Sequence, residues 1–214
     1  IQTLYNHIDV ESMQDLQMPS EEARDYLGLS PEEWVVGNVG RLHPDKDQAT
    51  LIKGFASALP HLPAQSRLVI LGTGHLEKSL KSLARELDIA EQVLFLGHVP
   101  DARKYFRAFD AFVLSSEHEA FGMVLLEAMA AGVPLLATSC GGAREVVEGV
   151  GILFPFGCAD HLGRGLRYLS SMGRQQRQKC VEMMLERLQE RFSDQAVRDI
   201  FWQLPTVIAL TETA

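Results

Sequence analysis

From Trp34 onward the chain alternates short, uninterrupted apolar runs with longer amphipathic stretches, and no other feature restricts its fold so tightly. The runs are 34–40 (WVVGNVG), 67–72 (RLVILG), 92–97 (QVLFLG), 110–115 (DAFVLS), 133–138 (VPLLAT) and 150–154 (VGILF), recurring at about 20 to 30 residues. A strand with one face in water alternates polar and apolar residues. These runs do not alternate, as expected of a parallel sheet covered by helices on both faces. The intervening stretches supply helices at 47–59, 75–88, 101–108, 122–131 and 142–148, then at 158–171, 173–192 and 194–203. Leu76, Leu80, Leu83 and Leu87 mark the apolar stripe of the second of these. The pattern predicts a doubly wound α/β fold with a parallel sheet. Ligands of such sheets sit outside the carboxyl ends of the strands, near the point where strand order reverses, so the loops after each strand matter most.

The segment before Trp34 reads differently. Pro19 and Ser20-Glu21-Glu22 open a short helix over 20–28 that ends at Gly28. Residues 1–33 are thus expected as a hinge and lead-in linker, 34–192 as the main α/β unit, and 193–214 as a C-terminal tail. Ile1 to Tyr5 resemble the middle of a strand, so the chain is expected to be a piece of a longer polypeptide. Its 214 residues, 46% hydrophobic, suffice for a normal core. A net charge of -8 argues against nucleic acid as a partner, because phosphate-backbone binding needs a basic footprint. Cys140, Cys158 and Cys180 are widely spaced and form no Cys-x-x-Cys pair, which indicates neither a disulfide framework nor a zinc site. No apolar run approaches the roughly 20 residues of a membrane helix, and no signal peptide is evident. A cytoplasmic, soluble protein is expected.

Three loops carry candidate chemistry. Gly40-Arg41-Leu42-His43-Pro44-Asp45-Lys46-Asp47 follows the first strand with two cations five positions apart, a plausible diphosphate clamp. A solvated loop with idle charges accounts for the same spacing. Asp45-Lys46-Asp47 also matches a short metal-binding pattern, but Asp47 reads better as the N-cap of the helix that follows. Gly72-Thr73-Gly74-His75 lacks the third glycine of a dinucleotide fingerprint, position 77 being Glu, and does not support NAD.

The strongest signal runs from Ser115 to Pro134. Gly122 opens a helix whose first amides, on Gly122, Met123 and Val124, lie at the positive end of its dipole and suit a phosphate. Glu119 and Glu127 stand eight positions apart around that start. At ~1.5 Å of rise per residue they would be roughly 12 Å apart even if the span were all helix. That exceeds the roughly 5 to 10 Å of a glycosidase acid and base pair, so each is expected to grip a different end of one elongated ligand. Carboxylates suit sugar hydroxyls because they accept two hydrogen bonds. A surface Glu127 and a loop Glu119 of no particular role remain the plain alternative.

Glu119-x7-Glu127 enclosing Phe121-Gly122, then Glu127-Ala128-Met129-Ala130-x-Gly132-x-Pro134, together with Val39-Gly40-Arg41-Leu42 and Lys46-Asp47, resemble the donor-binding half of glycosyltransferase family 4, retaining group 1 enzymes of GT-B fold. Phe95 to Val99, Gly141 to Val147 and Gly151 to Phe154 extend the resemblance over residues 5 to 190. It implies that Arg41 and Lys46, beside Gly40, neutralise a donor diphosphate and that the amides of Gly122, Met123 and Val124 hold phosphate. Glu127 would bind ribose hydroxyls, and the backbone at His98 and Val99 would face the base. Glu119, the catalytic candidate, would touch the transferred sugar within the donor-binding stretch Glu119-Ala120-Phe121. No metal and no cofactor is implied, the nucleotide sugar being a substrate. His7 stands where the family usually has Gly, and Ala120 where it has Gly or Ser; the first bears on hinge geometry, the second on sugar choice.

Enzymes of this kind resemble two facing Rossmann-like domains, and only the second is expected here. The full enzyme would transfer a sugar to a growing glycan or glycolipid acceptor, such as lipopolysaccharide or another surface polysaccharide, and the fragment alone would be inactive. The tail with Trp202, Leu204 and Pro205 would cross back to the first domain. A nucleotide-sugar 2-epimerase of the same fold and a non-catalytic nucleotide-binding module are the alternatives. Residues 161–180 hold Arg164, Arg167, Arg174, Arg177 and Lys179 without an acid, so a peripheral contact with anionic lipid is weighed against a solvated helical face.

Overall fold

The computed structural model describes residues 4–204. Six strands, β1 (Trp34–Val39), β2 (Ser66–Leu71), β3 (Val93–Gly97), β4 (Ala111–Leu114), β5 (Leu135–Thr138) and β6 (Ile152–Phe154), form one sheet in the order β3-β2-β1-β4-β5-β6, with every pairing parallel. Each expected strand is present, β2 shifted back by one residue to start at Ser66 and the others trimmed by one or two. β4 and β5 are buried at every position, which is why their sequences are apolar without alternation.

Helices α3 (Gln48–Ala58), α4 (Glu77–Glu86) and α7 (Ala159–Ser171) cover one face, burying Leu51, Phe55, Leu80, Leu162 and Leu166 against Val36, Leu68, Ile70 and Val113. On the other face lie α5 (Met123–Ala130), α6 (Gly141–Val147) and α8 (Arg174–Arg191), whose Leu125, Leu126, Met129, Val146 and Leu188 meet Val69, Phe112 and Leu135. The stretch expected as a helix over 101–108 is 3-10 turn from Ala102 to Ala108, entered through Asp101 in the left-handed region at φ 49°. Shorter turns of that kind suit a segment with too few residues to propagate an α-helix.

Residues 4–33 are not a free linker. They hold α1 (Val10–Leu16), which the sequence reading missed, and α2 (Ser20–Tyr26), and they bury Ile8, Met13, Ala23, Leu27 and Leu29 in the main core. Asp9 caps α1 by accepting from the Ser12 amide at 3.0 Å and its hydroxyl at 2.8 Å. Arg24 pins α2 to the amino end of β4: its guanidinium donates to the carbonyls of Ala108, Pro31 and Glu33 and sits 2.7 Å from the Asp110 carboxylate. Ile8 pairs with Ser193 between α8 and α9 (Asp194–Trp202), so the two ends of the described chain meet. His7 Nε2 lies 3.1 Å from Asp194 Oδ1 in that junction. The end of the expected tail, 205–214, falls outside the described residues, as do Ile1 to Thr3.

Candidate functional site

Strand order reverses between β1 and β4, neighbours in the sheet but far apart in sequence, and the loops leaving their carboxyl ends form the candidate site. The loop after β1 is stitched to its surroundings by backbone bonds. Gly40 N donates to Leu71 O at 2.9 Å, Leu42 N to Thr73 O at 3.0 Å, and the Gln48 side-chain amide to Arg41 O at 2.9 Å. A Cβ at Gly72 would lie 1.9 Å from Gly40 O, so this glycine lets the loop after β2 abut the first loop. Its visible role is to let these two loops pack.

The loop after β4 is tied to the first one. Ser115 Oγ donates to Lys46 O at 2.8 Å, Glu117 N donates to Asp45 O at 2.8 Å, and Lys46 Nζ reaches Glu119 Oε2 at 2.6 Å. Ser116 Oγ lies 3.4 Å from the same Glu119 oxygen, and Thr138 Oγ1 donates to Ser116 O at 2.7 Å. Behind Glu119 the start of α6 closes in: Gly142 N donates to Glu119 O at 3.0 Å, and a Cβ on Gly142 would fall 2.5 Å from Phe121 Cα. The paired expectation for Lys46 and Glu119, one on phosphate and the other on sugar, thus acquires a direct bond between them.

Arg41 is exposed at the mouth of the site, and Asp47 caps α3 through the Thr50 amide at 3.2 Å. Asp45 is exposed and lies 3.2 Å from His43 Nδ1. Among the described residues no group of three or more His, Cys, Asp or Glu side chains converges as metal ligands do. Gly122 adopts φ 91°, and the first helical bond of α5 runs from Leu125 N to Gly122 O at 2.8 Å. The amides of Met123 and Val124 therefore precede any intrahelical acceptor and remain available to an anion.

The expected site residues separate into two sets. Gly40, Arg41 and Lys46 lie in the loop after β1, and Glu119, Ala120 and the Gly122 to Val124 backbone in the loop after β4 and the first turn of α5, the two joined by the Lys46–Glu119 contact. Phe121 points the other way: its ring is buried against Tyr5 and Phe192, so only its backbone borders the site. Its place in the donor-binding stretch is therefore one of backbone position. His98 is exposed and Val99 half-buried beyond β3, two strands from β1, or roughly 10 Å sideways at ordinary strand spacing.

Glu127 lies one helical turn beyond Met123 on α5 and faces a cavity of about 440 Å³ lined also by Asp9, Ser12, Met13 and Arg103. Burial pushes its carboxyl up from the ordinary value, and the Arg103 guanidinium opposes this in part. A half-buried carboxylate and a guanidinium thus border one hollow beside the helix amides. Ser115, Ser116 and Gly142 lie within the motifs that carry the resemblance but had no role assigned to them, and nothing in the sequence singled out Arg103. Of the basic run at 161–180, Arg177 is spent on the Asp110 carbonyl at 2.8 Å, while Arg164, Arg174 and Lys179 are exposed. No helix among the described residues is long and apolar enough to cross a membrane.

Residues 19–186 match the family described as "Glycosyl transferases group 1". The chain is 33% identical over 150 residues to N-acetyl-alpha-D-glucosaminyl L-malate synthase of Bacillus anthracis, covering 69% of this chain and 38% of that protein. It is 36% identical over 132 residues to the lipopolysaccharide core biosynthesis mannosyltransferase LpsB of Rhizobium meliloti, covering 60% of this chain and 38% of LpsB. Thus it spans well under half the length of these relatives. Among solved structures, Anabaena HepE in complex with UDP and glucose superposes with a TM-score of 0.80 at 27% identity, over 100% of this chain and 56% of that one. A glycosyltransferase of Rickettsia africae shares the fold, with a TM-score of 0.85 at 18% identity, over 100% of this chain and 58% of that one. The six-stranded sheet is that of GT-B glycosyltransferases, and the chain belongs to the glycosyl transferases group 1 family.

Proposed function

We propose that this chain is the donor-binding domain of a metal-independent, retaining glycosyltransferase, which transfers a sugar from a nucleoside diphosphate donor to a growing glycan or glycolipid. The carrying observation is the meeting, at the point of strand reversal, of Lys46 and Glu119 at 2.6 Å beside the free first-turn amides of α5. When a nucleoside diphosphate leaves a sugar, negative charge builds on its terminal phosphate. Arg41, Lys46 and the α5 amides are the groups placed to offset it, without reorganising water. The cavity beside Glu127 would take the ribose, and Glu119 would accept from the transferred sugar.

A second domain facing this site would supply the acceptor and complete catalysis, in keeping with relatives more than twice as long as their matched part. The lipopolysaccharide core mannosyltransferase among the relatives and the UDP-bound neighbour favour surface-glycan assembly from a nucleotide sugar, a reaction we assign to the bacterial cytoplasm. The epimerase alternative has no support among these relatives. Peripheral association through Arg164, Arg174 and Lys179 belongs to the same proposal; equal co-sedimentation with neutral and anionic vesicles would remove it.

The central test is a thermal-shift titration of the chain with UDP, GDP, ADP and their glucose conjugates. At least one should raise the melting temperature in a saturable manner, and a flat response to all of them would refute donor binding.

A further inference from the structure

We infer that Glu119 is an affinity-setting counter-ion of Lys46, which a donor diphosphate must displace, so that phosphate binding is what frees Glu119 for the sugar; this rests on reading the site as one for nucleoside diphosphates. The Lys46 and Glu119 side chains are only 23% and 15% exposed. Shielded from water, such a pair is held more firmly than a surface ion pair, and either partner left alone would be a poorly solvated charge. Any anion recruited to Lys46 therefore competes with Glu119 for it.

The two partners are not equally mobile. Glu119 is held at its backbone by Gly142 N, 3.0 Å from its carbonyl, and at its carboxylate by Ser116 Oγ at 3.4 Å. Lys46 carries a point charge on a flexible four-carbon stem, with three donors that need no fixed plane. Its ammonium can swing to a phosphate while the carboxylate stays where it is. A diphosphate brings more negative charge than one carboxylate, so the exchange runs toward the ligand and leaves Glu119 with open acceptor positions. Sugar recognition is thereby coupled to occupancy of the phosphate site, at the cost of some nucleotide affinity.

The experiment measures affinity for UDP, GDP and ADP by calorimetry in the wild-type chain, Glu119→Gln, Lys46→Met and the double variant, with folding checked by circular dichroism. Glu119→Gln should bind the preferred nucleotide about tenfold tighter, equivalent to about 1.4 kcal/mol. Glu119→Ala should shift affinity in the same direction, which guards against a fault specific to one replacement. In the Lys46→Met background the gain should vanish. Glu117→Gln, which removes an exposed neighbouring charge not bonded to Lys46, should change affinity less than twofold. Unchanged or weaker binding by both Glu119 variants, or an equal gain in Glu117→Gln, would overturn the inference while leaving nucleotide binding intact. If neither the wild type nor any variant binds the three nucleotides, the donor-site reading itself fails and the inference with it.

Discussion

The ring of Phe121 meets that of Phe192 edge to face, with centroids 5.6 Å apart, and so fastens the loop that carries Glu119 to the end of α8. Tyr5 completes the cluster, its ring 6.1 Å from Phe121 and 5.4 Å from Phe192, with the Arg191 guanidinium 5.4 Å above Tyr5. Ile8 and Ser193 pair close by, so the site loop, the N-terminal segment and the start of α9 share one anchor. Phe121 thus acts on the site through the position of its backbone.

Truncating that anchor should cost stability and binding together. Phe121→Ala is expected to lower the unfolding free energy by about 3 kcal/mol, as large-to-small core changes do, and to weaken nucleotide binding as the loop relaxes. Urea denaturation and calorimetry on the same preparation check both. A variant of wild-type stability would show that the aromatic cluster is not an anchor.

Gly142→Ala tests the back of the site. The added Cβ would come within 2.5 Å of Phe121 Cα and 2.6 Å of Ala120 O, so backbone has to move. We expect a marked loss of nucleotide affinity, whereas Gly173→Ala, with open space around it, should be neutral. Equal affinities for the two variants would mean that the 119–122 backbone does not contribute to binding.

At the phosphate clamp, Arg41→Ala and Lys46→Ala should each weaken nucleoside diphosphate binding by about 1 to 3 kcal/mol, the usual worth of a charge-assisted contact. Chelator should leave affinity unchanged. If EDTA lowers affinity and magnesium restores it, Asp45 and Asp47 return as metal-ligand candidates.

Glu127 carries a stability cost with a definite pH sign. Burial raises its carboxyl pKa in the folded chain, so the folded state binds the proton more tightly than the unfolded state does. Its contribution to stability therefore falls as pH rises through the interval between the unfolded value and the raised folded one. In the absence of nucleotide, Glu127→Gln should melt at a higher temperature than wild type at neutral pH, with the gap closing in acid, and should bind nucleotide more weakly. A lower melting temperature at neutral pH would show that the carboxylate is stabilised where it sits.

The chain alone should bind donor and transfer nothing. Positioning of reactants supplies roughly 7 to 11 kcal/mol of a barrier, and a single Rossmann-like unit offers only one wall of the cleft. UDP and UDP-glucose should accordingly bind with similar affinity. Extension by a facing acceptor domain should restore turnover, which Glu119→Ala should then reduce although it binds nucleotide more tightly. Sustained transfer by the present chain, followed with radiolabelled donor, would refute the argument.

Much of this was written in local sequence. Continuous apolar runs marked all six strands, because both sheet faces are covered; Gly122 marked the start of α5, and Asp47 announced the cap of α3. Each depends on backbone preferences and burial over a few residues, and these are legible in a short window. Helix α1 escaped notice because its seven residues bury only Met13 and show little periodicity. The motif placed Phe121 in the donor-binding stretch but could not tell which way its ring points, because a motif records which residue is present and not its direction.

The contacts that make the site lay beyond such reading. Lys46 and Glu119 are 73 positions apart and meet only because β4 takes its place beside β1, a strand order that apolar periodicity does not encode. Arg103 faces Glu127 because the turn after β3 and the helix after β4 cover the same side of the sheet. Sequence alone determined the strands, the helices on both faces and the residue types offered at the loop ends. Tertiary structure decided which loops meet and which charges are buried together, since those follow from sheet order and packing between segments distant along the chain.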